Sequence, residues 1–185
     1  MQDTERITWL CGLYPIWARM TPRMIHTSAL TAMAELLMSG CTASSDHLYL
    51  YPNGAKLDDT ISAAQQIVMR FHAMRGSMSV GKSAGGLPPD CVVENQAAIL
   101  KDSQRVVEHF HDANRYAMIR IDTPSMAGGA AHDPIAALMF CASPRAEYTI
   151  LSGRVVVREG RLTTLELQPH IARHNSMARE LANGY

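Results

Sequence analysis

An α/β fold with parallel strands, continued by a small antiparallel meander and a C-terminal helix, is what this chain predicts. Three observations carry the prediction. Strand-like runs at Cys41–Asp46 and Phe71–Ser77 alternate with helical patterns and end in polar loops, the repeat of a parallel α/β sheet. Between Tyr148 and Leu165 the pattern changes to short apolar runs broken by Ser152-Gly153 and Glu159-Gly160, the mark of tight hairpins. At 185 residues the chain is short of the ~250 that a closed eight-stranded α/β barrel typically uses, so a doubly wound sheet or a piece of a barrel fits.

The elements follow in order. Residues Thr4–Met20 place Ile7, Leu10, Cys11, Tyr14 and Trp17 near helical spacing, against the opposition of Gly12 and Pro15. Thr21-Pro22 is a helix start, a hydroxyl cap followed by proline at the first helical position, and Gly40 is the matching stop after Ser39. Asp58 is the expected cap of a helix over Asp59–Arg70, with Ile61, Ala64, Gln65 and Val68 on or beside one face. Val80–Cys91, rich in Gly, Pro and Ser, is longer than most strand-to-helix connections and reads as a binding loop. A helix over Glu94–His109 and a strand over Ala117–Asp122 complete the front. Pro124, Gly128 and Gly129 form a linker, a short helix is expected at Asp133–Cys141, and a last helix at Gln168–Ala182. Domain boundaries are expected at 1–122 and 123–185.

Composition narrows the function classes. Seventeen basic and seventeen acidic residues balance, and no basic run is present, which argues against nucleic acid as a partner. The longest apolar stretch, near Ala29–Met38, contains Glu35 and falls short of the ~20 residues a membrane span needs. No basic-then-apolar signal opens the chain, and Cys11, Cys41, Cys91 and Cys141 are widely spaced in mostly apolar contexts. Buried, reduced thiols in a cytoplasmic protein are the expectation.

Several groups could carry chemistry. Asp46, His47, Arg75, Ser77 and Ser79 stand at or near the ends of the two predicted strands, where α/β sites are built. Asp46 beside His47 could orient a substrate or move a proton, or else cap the turn. Arg75 could clamp a planar carbonyl or an anion through its fork of donors, or form a structural salt bridge. His109-Phe-His111 has a metal-ligand spacing but falls at a helix end, where residues two apart diverge. His170 and His174 share a helix face without a third ligand, so a solvated face is expected there. Gly76-x-x-x-x-Gly81-Lys82-Ser83 matches a phosphate-binding loop literally, yet Ala-Gly-Gly-Leu-Pro-Pro follows in place of a helix. Nucleotide binding through Gly76–Ser83 is therefore an alternative.

The segments Leu13–Arg19, Ser39–Gly54, Arg70–Ser79 and Gly85–Asp90 resemble the amidohydrolase superfamily. Within it they are similar to the branch that contains 8-oxoguanine deaminase and the hydroxyatrazine ethylaminohydrolases. Ala131–Leu138, Gly153–Leu162 and Arg173–Arg179 look like that family's C-terminal segment. The resemblance implies a metal-dependent (β/α) barrel that hydrolyses an amino group from a purine-like or s-triazine ring, using a divalent ion such as zinc or iron to activate water. It also implies the ligands: an H-x-H pair after the first barrel strand, histidines from the fifth and sixth strands, and an aspartate from the eighth. None has a counterpart here. Met1 falls just after the place of the H-x-H, and Ile119–Pro124 looks like a junction joining the fourth strand to the C-terminal segment.

The expectation is thus a partial (β/α) barrel fragment, truncated at its N-terminus and internally deleted. No catalytic residue or metal ligand is assigned, and Asp46, His47, Arg75, Ser77 and Ser79 line a pocket mouth for a heterocyclic substrate. Alone it is expected to be inactive and to self-associate through unpaired strand edges, as a non-catalytic remnant or oligomerising module.

Overall fold

The computed structural model describes residues 6–111, 117–120 and 145–184. Helix α1 (Arg6–Trp17) forms despite the internal Pro15, and its C-terminal aromatic residues meet edge-on, Trp17 lying 5.7 Å from Tyr14 and 6.0 Å from Trp9 between ring centroids. Helix α2 (Pro22–Met38) begins as its sequence dictates: the Thr21 hydroxyl accepts from the Met24 amide, and Gly40 adopts a left-handed φ of 91° just past the end. Strand β1 (Ala43–Leu48), helix α3 (Leu57–Ile67), strand β2 (Arg70–Arg75) and helix α4 (Gln96–Phe110) follow. β1 and β2 pair in parallel, Asp46 opposite Ala73 and His47 opposite Met74. Strand β3 (Ala117–Arg120) leads a four-stranded antiparallel sheet with β4 (Tyr148–Leu151), β5 (Arg154–Arg158) and β6 (Arg161–Leu162). Helix α5 (Leu167–Asn183) ends the described chain.

Four sequence expectations are corrected. β3 was expected beside the parallel strands, and it pairs antiparallel with β4 instead, Ala117 opposite Leu151. The parallel part among the described residues is therefore a two-stranded ribbon. Asp58 does not cap α3. Lys56 is the N-cap, its amide donating to the Asp59 carboxylate at 2.8 Å, while Asp58 faces Arg105. The same helix stops before Arg70, because Val68 takes a left-handed conformation that no continuing helix allows. Finally, Cys11 and Cys91 are exposed and Cys41 is half-buried, against the expectation of buried thiols, and Cys141 lies outside the described residues.

The two hairpin turns form where glycine demanded them. Ser152 and Gly153 both have positive φ, 49° and 78°, as do Glu159 and Gly160, 51° and 70°. Two successive left-handed residues give the turn whose twist suits antiparallel strands. The linker at Pro124, Gly128 and Gly129, the helix at Asp133–Cys141 and the family-like segment Ala131–Leu138 lie outside the described residues.

One hydrophobic core joins the front and back of the chain. Leu30, Met33, Ala34 and Leu37 of α2 meet Ala63, Ala64 and Ile67 of α3, with Met69, Leu151, Val156 and Val157 completing the cluster. Backbone bonds reinforce the junction: the Ala146 amide donates to Met38 O at 2.9 Å, and the Thr149 hydroxyl to Leu37 O at 3.0 Å. A second cluster, Tyr14, Leu50 and Val92, sets α1 under the strand ends. A third, Leu57, Ile61 and Val106, packs α3 and α4 on one face of the ribbon. No helix of the described residues is long and apolar enough to cross a membrane.

Candidate functional site

The strand ends of the parallel ribbon point the same way, so the residues after β1 and β2 share one edge. Alternation along a strand then separates Asp46 from His47. Asp46 is half-buried on the face that α3 and α4 cover, and His47 is exposed on the other. Two adjacent residues of one strand cannot converge on one small molecule, which removes the proton-relay reading of Asp46-His47 as a pair. The His47 ring lies against Gly76: a side chain there would collide with its Nε2 and with Tyr49 Cβ. Gly76 is thus glycine because the histidine and the next strand turn pass close to it. Ser77 and Ser79 are exposed in the segment that follows β2, while the intervening Met78 packs toward the Tyr14–Leu50–Val92 cluster.

Arg75 faces the covered side, and its side chain is only 6% exposed. Its Nε donates to Asp102 Oδ2 at 2.9 Å, one terminal nitrogen to Glu94 Oε1 at 2.7 Å, and the other to Gly76 O at 3.0 Å. The guanidinium also lies 4.6 Å from the Tyr51 ring centroid. Every side of the fork is thus held by the protein, the arrangement of a structural ion pair more than of a ligand clamp. Arg105 extends the network, with Nε donating to Asp102 Oδ1 at 2.9 Å and two nitrogens to Asp58 at 2.9 and 2.6 Å.

Titration behaviour follows from that packing. Burial works to raise the carboxyl of Asp102, but hydrogen bonds from Arg75 and Arg105 outweigh it and hold the group below the usual carboxylate range. Asp58 is held low by its hydrogen bonds to Arg105. Burial pushes the Tyr51 phenol well above its ordinary value, against the pull of the Arg75 charge. Its hydroxyl donates to Leu48 O at 2.8 Å, so it stays a protonated donor that ties the end of β1.

The Gly76–Ser83 loop does not present a phosphate cradle. Gly81-Lys82-Ser83 runs into a single 3₁₀ turn at Lys82–Ala84, and the Ser83 amide and hydroxyl both donate to Asp90 Oδ1, at 3.1 and 2.9 Å. A carboxylate sits where an anion would have to sit. Gly86 N donating to Gly81 O and Lys82 N to Pro88 O, each at 2.9 Å, fold the long loop back on itself. The histidine pairs are also resolved by structure. His109 is exposed with its ring 4.7 Å from that of Phe110, and His111 is exposed at the helix end. His170, expected on a solvated face, is buried against Thr31.

The network of Asp58, Glu94, Asp102 and Arg105 was missed from sequence, as was the part of Tyr51. The Asp102–Arg105 spacing of three on a helix was a visible hint. Its connection to Arg75 needs the α4 fold. A cavity of about 280 Å³ between α3, β2 and α4, lined by Ile61, Phe71, Val106 and Phe110 among others, includes none of the five sequence-derived site residues.

The chain thus combines a parallel βα ribbon, a loop-lined strand edge and an antiparallel meander in a mixed α/β architecture. No family model matches it. It is 42% identical over 115 residues to 8-oxoguanine deaminase of Pseudomonas aeruginosa, covering 61% of this chain and 26% of that protein. It is 35% identical over 118 residues to hydroxydechloroatrazine ethylaminohydrolase of Pseudomonas sp. strain ADP, covering 62% and 24%. The crystal structure of a triazine hydrolase variant superposes with a TM-score of 0.55 at 29% identity, over 60% of this chain and 26% of that one. The resemblance to amidohydrolase-type ring deaminases read from the sequence is borne out over this segment. The chain spans about a quarter of the length of these relatives.

A divalent metal is what that resemblance implies. Among the described residues no group of three or more His, Cys, Asp or Glu side chains could hold one. These residues do not fit the ion.

Proposed function

We propose that this chain is scaffold from an aminohydrolase acting on purine-like or s-triazine rings, and that by itself it does not hydrolyse them. The observation that supports the reading is the use of Arg75. The strand-end cation Arg75 is bound to Glu94, Asp102 and Gly76, so it holds β2 to α4 and is not free to hold a substrate. What faces outward at the same edge is His47 with Ser77 and Ser79, a polar rim that would line the approach to a ring. A rim without an ion leaves water at its bulk acidity, far from the ~7 that metal coordination reaches.

The purified chain, supplied with zinc or ferrous iron, is expected to release no ammonia from 8-oxoguanine or a hydroxytriazine and to retain less than one equivalent of metal after desalting. Ammonia production in step with enzyme concentration would refute the proposal.

Self-association is part of the same reading. Among the described residues the outer edges of β1 and β2 are unpaired, and one ribbon face exposes Ser45, His47, Arg70, His72 and Met74. Free edges offer unpaired amides and carbonyls to another strand. Light scattering after size exclusion is expected to show an average mass that climbs with loading concentration. A constant monomer mass would speak against it.

A further inference from the structure

We propose that His170 is a pH-sensitive latch that holds α5 against α2 when neutral and lets it go when doubly protonated. Helix α5 rests on the main core through Leu167, and Arg19 Nη2 donates to Leu181 O at 2.6 Å near its end. Seventeen residues long, it buries only His170 and Met177. His170 is 4% exposed, and its Nε2 lies 2.8 Å from the Thr31 hydroxyl oxygen on α2. That hydroxyl already donates its proton to Thr27 O at 2.9 Å. Only its lone pairs remain, so Nε2 must be the donor and carry the single proton of the neutral ring. A second proton goes to Nδ1, and the hydrogen bond that the ring shares with the Thr27 backbone works in favour of the charged form.

The surrounding charges oppose that second proton. Arg173 and His174 on α5 and His26 on α2 are the charged or chargeable groups near the ring, and α3 contributes only the neutral Gln66. His170 also lies in the first turn of α5, where the helix end is electropositive. Glu166, exposed at the N-cap, is the one carboxylate on the same cleft. Burial, then His174 and Arg173, hold the imidazole below its ordinary pKa. The cleft, about 210 Å³ and bordered by His26, Glu166 and Arg173, gives protons a route to the ring.

The sign follows by linkage. With the folded value depressed, α5 docking is fully stabilised above about pH 6.5, the ordinary histidine value, and loses that contribution as pH falls through the folded value. Hydrogen–deuterium exchange on the full chain, corrected for intrinsic rates, tests it at about pH 7.5 and 5. Protection within 167–183 is expected to drop roughly tenfold on acidification while α3 keeps its own. His170→Gln retains an amide donor for Thr31 without a titrating group, and its α5 protection should be equal at both pH values. His174→Gln should keep the response. If His170→Gln does not fold, the imidazole carbon resonance of His170 in the wild type must titrate together with the loss of α5 protection. A wild type indifferent to pH in this helix, a variant that responds equally, or a ring that titrates apart from α5 would overturn the latch.

Discussion

Replacing Arg75 by alanine is expected to lower the unfolding free energy by about 3–5 kcal/mol, the cost of leaving carboxylates without their buried cation. Glu94 and Asp102 have side chains 24% and 22% exposed, and both would lose the charge that offsets their desolvation. Glu94 Oε2 is already buried without a hydrogen-bond partner, so the site has little room to absorb a further loss. Urea unfolding followed by circular dichroism measures the effect. Arg75→Lys should recover only part of it, because an ammonium cannot reach Asp102, Glu94 and Gly76 O with the same fork. The network also sets an acid limit. Asp58 and Asp102 have depressed folded pKa values, so their contribution is present above about pH 4 and disappears as pH falls below it. An Arg75→Ala protein as stable as the wild type would show that the cluster is decoration, and would reopen Arg75 as a group available to a ligand.

Leu37→Ala is the second large effect, about 2–5 kcal/mol for a fully buried leucine truncated in a packed core. Leu37 is 0% exposed and sits where α2 meets α3 and the meander. The spread in cost depends on collapse of the cavity, and collapse is restricted here. Thr149 bonds to the Leu37 carbonyl and Ala146 to that of Met38, so the backbone around the void is tied to two elements. Unfolding should remain a single transition, since the front and back of the chain share this core. Two separated transitions would show that the meander folds without α2. A loss under about 1 kcal/mol would show that the site closes over the void more fully than these bonds allow.

These two residues also show how unevenly structure can be read from sequence. Leu37 belongs to a helix whose start at Thr21-Pro22 and stop at Gly40 were both local features, and the structure matches them. The hairpin turns at Ser152-Gly153 and Glu159-Gly160 were equally local, because a positive φ at two successive positions is a requirement that few residues meet. Arg75 was visible only as a charged residue at a strand end. Whether it served a ligand or the fold depended on Glu94 and Asp102, which are 19 and 27 positions away. Asp58 was read as a cap since it precedes a helix, and its true partner, Arg105, is 47 positions on. His170 looked solvated because it shares a helix face with His174 and no third ligand accompanies them, and Thr31, 139 residues earlier, is what covers it.

By itself the sequence determined the helices of the described residues to within their ends, the hairpin turns, the parallel ribbon and the likeness to ring aminohydrolases, because each rests on backbone preference or on residue identity within a short window. The tertiary structure alone decided which charges neutralise one another, which histidine is dry, and that Ala117–Arg120 joins the antiparallel sheet. Those outcomes turn on burial and on distances between residues far apart in the chain, and a pairing energy exists only once folding has removed the water between the partners.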